Sequence, residues 1–95
     1  MLVFNWVTVN MQVNKLREIA NEMESMRRSV LLPAIDSTRA AWKGPTSQAF
    51  LTKCNELNQW VVDEVSRIRE VAENLKRTAN LIVAAEQAAQ EVIRR

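Results

Sequence analysis

The chain has 95 residues, of which 47% are hydrophobic and 25% are charged, with one glycine, two prolines and no tyrosine. This length accommodates one domain, and a composition so poor in turn-forming residues favours helices over a sheet. The thirteen Lys and Arg residues are dispersed among eleven Asp and Glu residues, which is typical of a solvated surface and not of a nucleic-acid footprint. We therefore expect an all-α protein that binds no nucleic acid.

The first residues, MLVFNWVTV, are apolar but lack the basic start and the small-residue cleavage site of a standard signal peptide. No apolar run in the sequence approaches the roughly 18 residues that a membrane span needs, so no membrane span is expected. The β-branched and aromatic residues predict an extended arm over residues 1–8. Val3, Phe4 and Trp6 of this arm are expected to pack on the helices.

A first helix is predicted over residues 9–41. Apolar residues recur there with a 4-3-4-3 spacing, and charged residues occupy the outer face. Thr8 or Asn10 is the expected N-cap. Because Pro33 removes one backbone hydrogen bond while the helical pattern continues beyond it, we predict a kink near that proline and not an end. The apolar positions are Val9, Val13, Leu16, Ala20 and Met23, and the outer positions are Lys15, Arg17, Glu18, Glu22 and Glu24.

The chain is predicted to turn back at residues 42–46. Gly44 tolerates the irregular backbone at which a helix stops, and Pro45 suits the first turn of a new helix. Thr46 and Ser47 are placed where their hydroxyls can meet free backbone amides. Trp42 is expected to cover the end of the resulting helical hairpin.

A second long helix is predicted over residues 47–93, ending in a flexible tail. Its apolar residues keep a heptad-like 3-4 spacing that is interrupted only at Glu64, Thr78 and Ala85. The lone Cys54 lies on this stripe, so a small buried hydrophobic side chain is favoured over a disulfide across a dimer axis, and a chain without histidine offers no metal site. The stripe consists of Phe50, Cys54, Leu57, Val61, Ile68, Val71, Leu75, Ile82, Ala89 and Ile93.

The apolar sector of the second helix is about 140° wide, which is more than one facing helix covers. We therefore predict that two antiparallel hairpins pair into a four-helix-bundle dimer, and a monomeric hairpin is the alternative. No cofactor is expected. The candidates for the pairing interface are Leu16, Ile19, Met23, Met26, Val30, Leu57, Trp60, Val61, Ile68, Val71 and Leu75.

The tripeptide Trp42-Lys43-Gly44 lies near the middle of the chain, between two long amphipathic helices, and Phe50 follows six residues after the glycine. In this arrangement the chain resembles the Trp-x-Gly (WXG) family of early-secreted-antigen-like (ESAT-6-like) proteins of bacterial type VII secretion. The similarity extends from about Val9 to Ile93. The family also has a carboxyl-terminal signal, a tyrosine followed four residues later by an acidic residue. Here Ile82 stands in the place of tyrosine, Glu86 is the acidic residue, and Ala89 and Ile93 continue the hydrophobic spacing.

The resemblance implies a small adaptor or substrate that is exported from the cytoplasm without a cleavable signal peptide and is associated with virulence. It also implies a homodimer, or a heterodimer with a related helical-hairpin protein, that a secretion ATPase recognises. An alternative is an intracellular helical interaction module, such as the partner of a larger toxin, that is not itself exported. An enzyme is disfavoured because the chain has no histidine, no Gly-rich phosphate-binding loop and only carboxylates spaced like solvated helix charges.

Overall fold

A computed structural model describes residues 5–94, and within them only Asn5 and the three residues 42–44 are not helical. In chain order the elements are helix α1 (Trp6–Met26), a π-helical segment (Arg27–Leu31), helix α2 (Leu32–Ala41) and helix α3 (Pro45–Arg94). No strand occurs in these ninety positions of the chain. The all-α class predicted from the composition is confirmed.

The molecule is a thin rod of 77 × 18 × 15 Å, and its radius of gyration is 21.8 Å. A compact domain of this length has a radius of gyration of about 12 Å. Helix α3 sets the long dimension, because its 50 residues rise by about 75 Å. The accessible surface is 7310 Å², whereas a compact monomer of this mass exposes about 5,600 Å². The isolated chain therefore leaves unusually much surface in contact with solvent.

Helix α1 lies antiparallel to α3. Their polar contacts join Trp6 to Asn80, Arg17 to Glu73 and Arg27 to Asn58, so residue numbers rise along one helix as they fall along the other. The described part of α1 begins opposite Asn80, and α3 continues for about 20 Å beyond that point.

The start of α1 differs from the prediction. Trp6 to Thr8 are helical, so the extended arm predicted over residues 1–8 is wrong for these three residues. Residues 1–4, with Val3 and Phe4, lie outside the described part of the chain. Asn5 is the N-cap, and its side-chain oxygen accepts a hydrogen bond of 3.0 Å from the amide of Thr8. Neither Asn10 nor Thr8, the expected caps, has that role. The helix therefore begins three residues before the predicted position.

The chain stays helical past Pro33. The amide of Leu32 donates to the carbonyl of Arg27, five residues earlier, which is the wide hydrogen-bonded turn of a π-helix. Pro33 has no amide to donate, and its ring crowds the carbonyl four residues before it. The π-helical segment lies immediately before this proline and joins α1 to α2 without a break in the helix.

The break between α2 and α3 is shorter than predicted. Helix α2 ends at Ala41, and α3 begins at Pro45, so the turn spans residues 42–44 instead of 42–46. Gly44 has φ of 120°, a backbone conformation that residues with a Cβ rarely adopt. Pro45 occupies the first helical position, where its missing amide costs no hydrogen bond. These two residues explain why the long helix starts where it does.

Candidate functional site

The seam between α1 and α3 is built from small side chains. We use "seam" for the residues Val13, Ala20, Val65, Ala72 and Ala79, all of which are buried. Residues 65, 72 and 79 recur every seven positions, as 13 and 20 do, so each set stays on one side of its helix. Three alanines let the two backbones approach closely, but they bury little apolar area.

One flank of the seam is polar. Arg17 donates to Glu73 across the helices at 2.8 Å, and Arg69 donates to Asn21 at 3.1 Å. Further along, Lys76 donates to Asn10. Arg17 was predicted to lie on the outer face of the first helix, and this prediction is wrong because its guanidinium reaches α3 instead.

Trp6 closes the far end of the polar flank. Its indole Nε1 donates to the side-chain oxygen of Asn80 at 3.2 Å. The ammonium of Lys76 lies 4.3 Å from the centre of the same ring, within range of a cation–π interaction. Trp6 packs on α3 as predicted, although from a helix and not from an extended arm.

Arg27 and Glu24 form an ionic cluster on the polar flank. Glu24 accepts from Arg27 at 2.6 and 3.0 Å and from Arg28 at 2.8 Å, while Arg27 also donates to Asn58 of α3 at 3.2 Å. The hydrogen bond from Arg27 is the main reason that the pKa of Glu24 falls from 4.5 to about 2, and Arg28 contributes. The pKa of Arg27 is raised for the reciprocal reason. Glu24, predicted as an outer-face residue, is therefore held against its own helix and is mostly covered.

The opposite flank is apolar and lacks a partner within the described residues. We call it the apolar face. It comprises the eleven residues predicted for the pairing interface, and none of them is buried. Leu16, Met23, Val61 and Ile68 are half-buried, and the other seven are exposed, namely Ile19, Met26, Val30, Leu57, Trp60, Val71 and Leu75.

Helix geometry places these residues together on one side. At about 100° per residue, the α3 members lie in a sector of about 100° on one side of the seam, and the polar contacts lie on the other. The same order holds on α1. Because the helices are antiparallel, both apolar sectors point to the same flank of the pair. The result is a continuous strip of large apolar side chains that begins near Val30 and Leu57 and extends to Leu16 and Leu75.

The turn motif lies at one end of the molecule. Trp42 and Phe50 are in contact, with ring centroids 5.6 Å apart and a tilt of 45°, yet 42% of Trp42 and 47% of Phe50 remain exposed. Trp42 therefore packs against Phe50 at the start of α3 while more than a third of its surface stays exposed, and that it covers the end of the helix pair stays a prediction. The hydroxyl of Ser47 donates to the carbonyl of Gly44 at 2.6 Å, where the sequence predicted that it would meet backbone amides. Ile35, Leu51 and Ser47 are the buried residues near this end.

The residues of the candidate export signal all lie in the last part of α3. Ile82 and Glu86 are half-buried, whereas Ala89 and Ile93 are exposed, and Ile93 has 77% of its surface accessible. Their spacing puts them on one side of the helix.

Cys54 is half-buried and free. No helix within residues 5–94 is sufficiently long and apolar to span a membrane.

The predicted apolar stripe of the second helix lies beside the seam and not in it. Phe50, Leu57, Val71 and Leu75 are exposed, while Val65, Ala72 and Ala79, one heptad position away, face α1. The seven-residue recurrence of small residues was the signal that could have identified the seam. It was obscured because the neighbouring stripe has larger and more hydrophobic side chains.

Comparison with known proteins adds no identification. The chain matches no family model, and searches of curated proteins and of solved structures gave no significant match.

Proposed function

We propose that this protein is a small helical adaptor or substrate of a type VII secretion system, similar to the WXG family of ESAT-6-like proteins. In this proposal the chain is an antiparallel helical hairpin that pairs through its apolar face into a four-helix bundle. It leaves the cytoplasm without a cleavable signal peptide and presents the end of α3 to a secretion ATPase.

The apolar face is the observation that carries the proposal. A strip that includes Trp60, Met26 and Leu57, each about half exposed or more, is larger than a helix pair of a monomeric protein usually leaves in water. The surface in excess of a compact monomer, about 1,700 Å² relative to the size expectation, is comparable with what a chain contributes to an extensive interface. Pairing is the simplest way to cover it.

Two further features support the secretion role. The Trp42-Lys43-Gly44 turn occupies the centre of the chain, and its tryptophan remains accessible beside Phe50. Helix α3 extends past the start of α1, so its end can be bound in a groove of another protein without separating the two helices.

The experiment is export of the tagged full-length chain, and of a chain without residues 82–95, from a bacterium that has a type VII system. The full chain is expected in the culture supernatant and the shortened one only in the cells. The polar contacts described above between α1 and α3 involve residues 58–80 of α3, so the deletion leaves them in place. The shortened chain should therefore still be helical and paired by circular dichroism and light scattering. Retention of the full chain in cells that export their own substrates would contradict the secretion role.

The presence of Ile82, where a tyrosine is expected, favours a second candidate function. According to this second candidate, the protein is an intracellular interaction module, for example the partner of a larger toxin, and it pairs through the same apolar face. This candidate predicts pairing without export, so the same two measurements separate it from the first.

A further inference from the structure

One carboxylate lies in the middle of the apolar face. Twelve positions of α3 from 50 to 89 follow the 3-4 spacing of this flank, and Glu64 is the one charged residue among them. It lies seven residues after Leu57 and seven before Val71, so all three occupy the same side of the helix. Its side chain is only 24% exposed even in the single chain. A charge in this place would be enclosed by whatever covers the face.

Glu64 already has a cation at its side. The guanidinium of Arg67 donates to Oε1 of Glu64 at 2.6 Å, and the Arg67 side chain is 68% exposed. Arg67 lies one heptad after Trp60, at the border of the apolar face. A carboxylate among the large apolar residues therefore lies next to a cation at the border of the face, about halfway along its length.

Covering this centre with a purely apolar surface would be unfavourable. A carboxylate withdrawn from water needs compensating hydrogen bonds, and one contact leaves most of its acceptor capacity unused. A two-fold interface supplies the compensation from the same residues, since a contact from residue i to residue j is repeated from j to i. An anion beside a cation is complementary to its own copy rotated by 180°.

We propose that the apolar face binds a second copy of this chain about a two-fold axis close to Glu64. Glu64 of each copy then pairs with Arg67 of the other, and these reciprocal ion pairs set the register of the two hairpins. The inference rests on the pairing in the proposed function and adds the identity of the partner and the residues that select it. On α3 the face extends from Leu57 to Leu75, and Glu64 lies within about 3 Å, or two residues, of its midpoint, close to where such an axis would cross it.

The test uses two charge reversals that fail alone and succeed together. Glu64→Arg puts two cations at the centre of each copy, and Arg67→Glu puts two anions there. Each variant alone is expected to raise the dissociation constant of the dimer by about tenfold or more, because like charges meet across the axis. An equimolar mixture is expected to regain pairing as a heterodimer, measured by sedimentation velocity and by native mass spectrometry of the differently tagged chains.

The matched control is Glu56→Arg. Glu56 accepts from Lys53 at 3.3 Å with the same three-residue separation, but both side chains are more than half exposed, and Glu56 lies about 12 Å along α3 from Glu64 and the proposed axis. This variant should pair like the natural chain.

The outcomes separate the inference from the proposed function. A natural chain that remains monomeric at tens of micromolar would overturn the self-pairing and with it the inference. A natural dimer that both single variants also form with unchanged affinity would overturn the inference alone. The inference alone would also be overturned if the single variants are monomeric and their mixture is monomeric too. Glu64 and Arg67 would then act only within their own chain. If a variant alone loses its helicity, the mixture is expected to recover both the helicity and the mass of the dimer. A mixture that recovers neither would contradict the inference.

Discussion

The seam and the apolar face are adjacent surfaces of the same two helices, but they are built from side chains of opposite size. The seam contains Ala20, Ala72 and Ala79, which are fully or almost fully buried. The apolar face contains Trp60, Met26 and Leu57, which are about half exposed or more. In a typical helix pair the larger apolar residues would be the ones enclosed.

The stability of this chain is therefore divided between folding and association. Burial of apolar area contributes about 25 cal/mol per Å², so a seam of alanines and valines gains little from the hydrophobic effect. Its small residues instead allow the backbones to approach, while the larger residues are left for a second contact. A chain of this design is expected to be marginally stable alone and to gain stability on pairing.

The polar flank determines which side of the pair remains in water. Cross-helix contacts such as Arg17 to Glu73 and Lys76 to Asn10 occupy that flank, and covering it would desolvate several charges. The helices therefore have one flank that favours solvent and one that favours a partner.

The largest expected effect is on the affinity of pairing, and it should differ between two tryptophans. Trp60→Ala removes the largest exposed side chain of the apolar face and should weaken pairing by about 3 kcal/mol, roughly a hundredfold in the dissociation constant. Trp6→Ala removes the hydrogen bond to Asn80 and the contact with Lys76 on the polar flank. It should lower the stability of the helix pair more than the affinity between pairs. Sedimentation equilibrium and urea unfolding give the two quantities, and equal affinities of the two variants would contradict the assignment of the faces.

Replacing one of two alanines of α3 by leucine compares the buried seam directly with an exposed position on the apolar flank. Ala72 is fully buried, and Ala72→Leu should destabilise the fold by about 2 kcal/mol because it forces α1 and α3 apart. Ala85→Leu makes the same chemical change at an exposed position of α3 that follows the spacing of the apolar flank, and its effect on folding should be within about 0.5 kcal/mol. Thermal and urea unfolding at low protein concentration measure both. Similar losses in the two variants would show that the seam is less tightly packed than these contacts indicate.

The fold class could be predicted from the sequence because a helical period and a near absence of glycine and proline are local signals. Gly44 and Pro45 mark the break for the same reason, since the first permits a positive φ and the second suits a helix start. The start of α1 was misplaced because the apolar residues before Val9 also suit a strand, and Asn5 was not recognised as a cap.

The seam could not be predicted from periodicity alone. Two apolar stripes lie side by side on α3, and a ranking by hydrophobicity selects the one with Leu57 and Val71. Which stripe faces α1 depends on how closely the backbones approach, and therefore on the small residues of both helices together. The eleven interface candidates lie on one surface of the helix pair, and both their role in pairing and the partner that covers them stay predictions.

A smaller effect is expected at the turn that joins the two halves of the helix pair. Gly44→Ala should destabilise the fold by about 1 to 2 kcal/mol, because a residue with a Cβ is strained at φ of 120°. No atom lies within 4 Å of the added Cβ, so the strain comes from the backbone alone. Lys43→Ala, in the same turn, is the control and should have little effect. If both variants unfold at the same urea concentration as the natural chain, the turn does not depend on a glycine.

The smallest effect concerns the polar flank and its dependence on pH. Since the pKa of Glu24 is lowered to about 2 in the folded chain by Arg27 and Arg28, its carboxylate favours the folded state fully above its ordinary pKa of 4.5. This contribution is lost as the pH falls from about 4.5 to 2, where the folded chain also takes up the proton. Glu24→Gln removes the titrating group, so the difference in unfolding free energy between the natural chain and the variant should be constant above pH 5 and shrink below it. Urea unfolding from pH 2 to 7 measures this difference. A difference that does not change with pH would mean that Arg27 and Arg28 do not hold Glu24 in solution. The ionic contacts of the polar flank would then add little to the stability of the helix pair, and that stability would depend mainly on covering the apolar face.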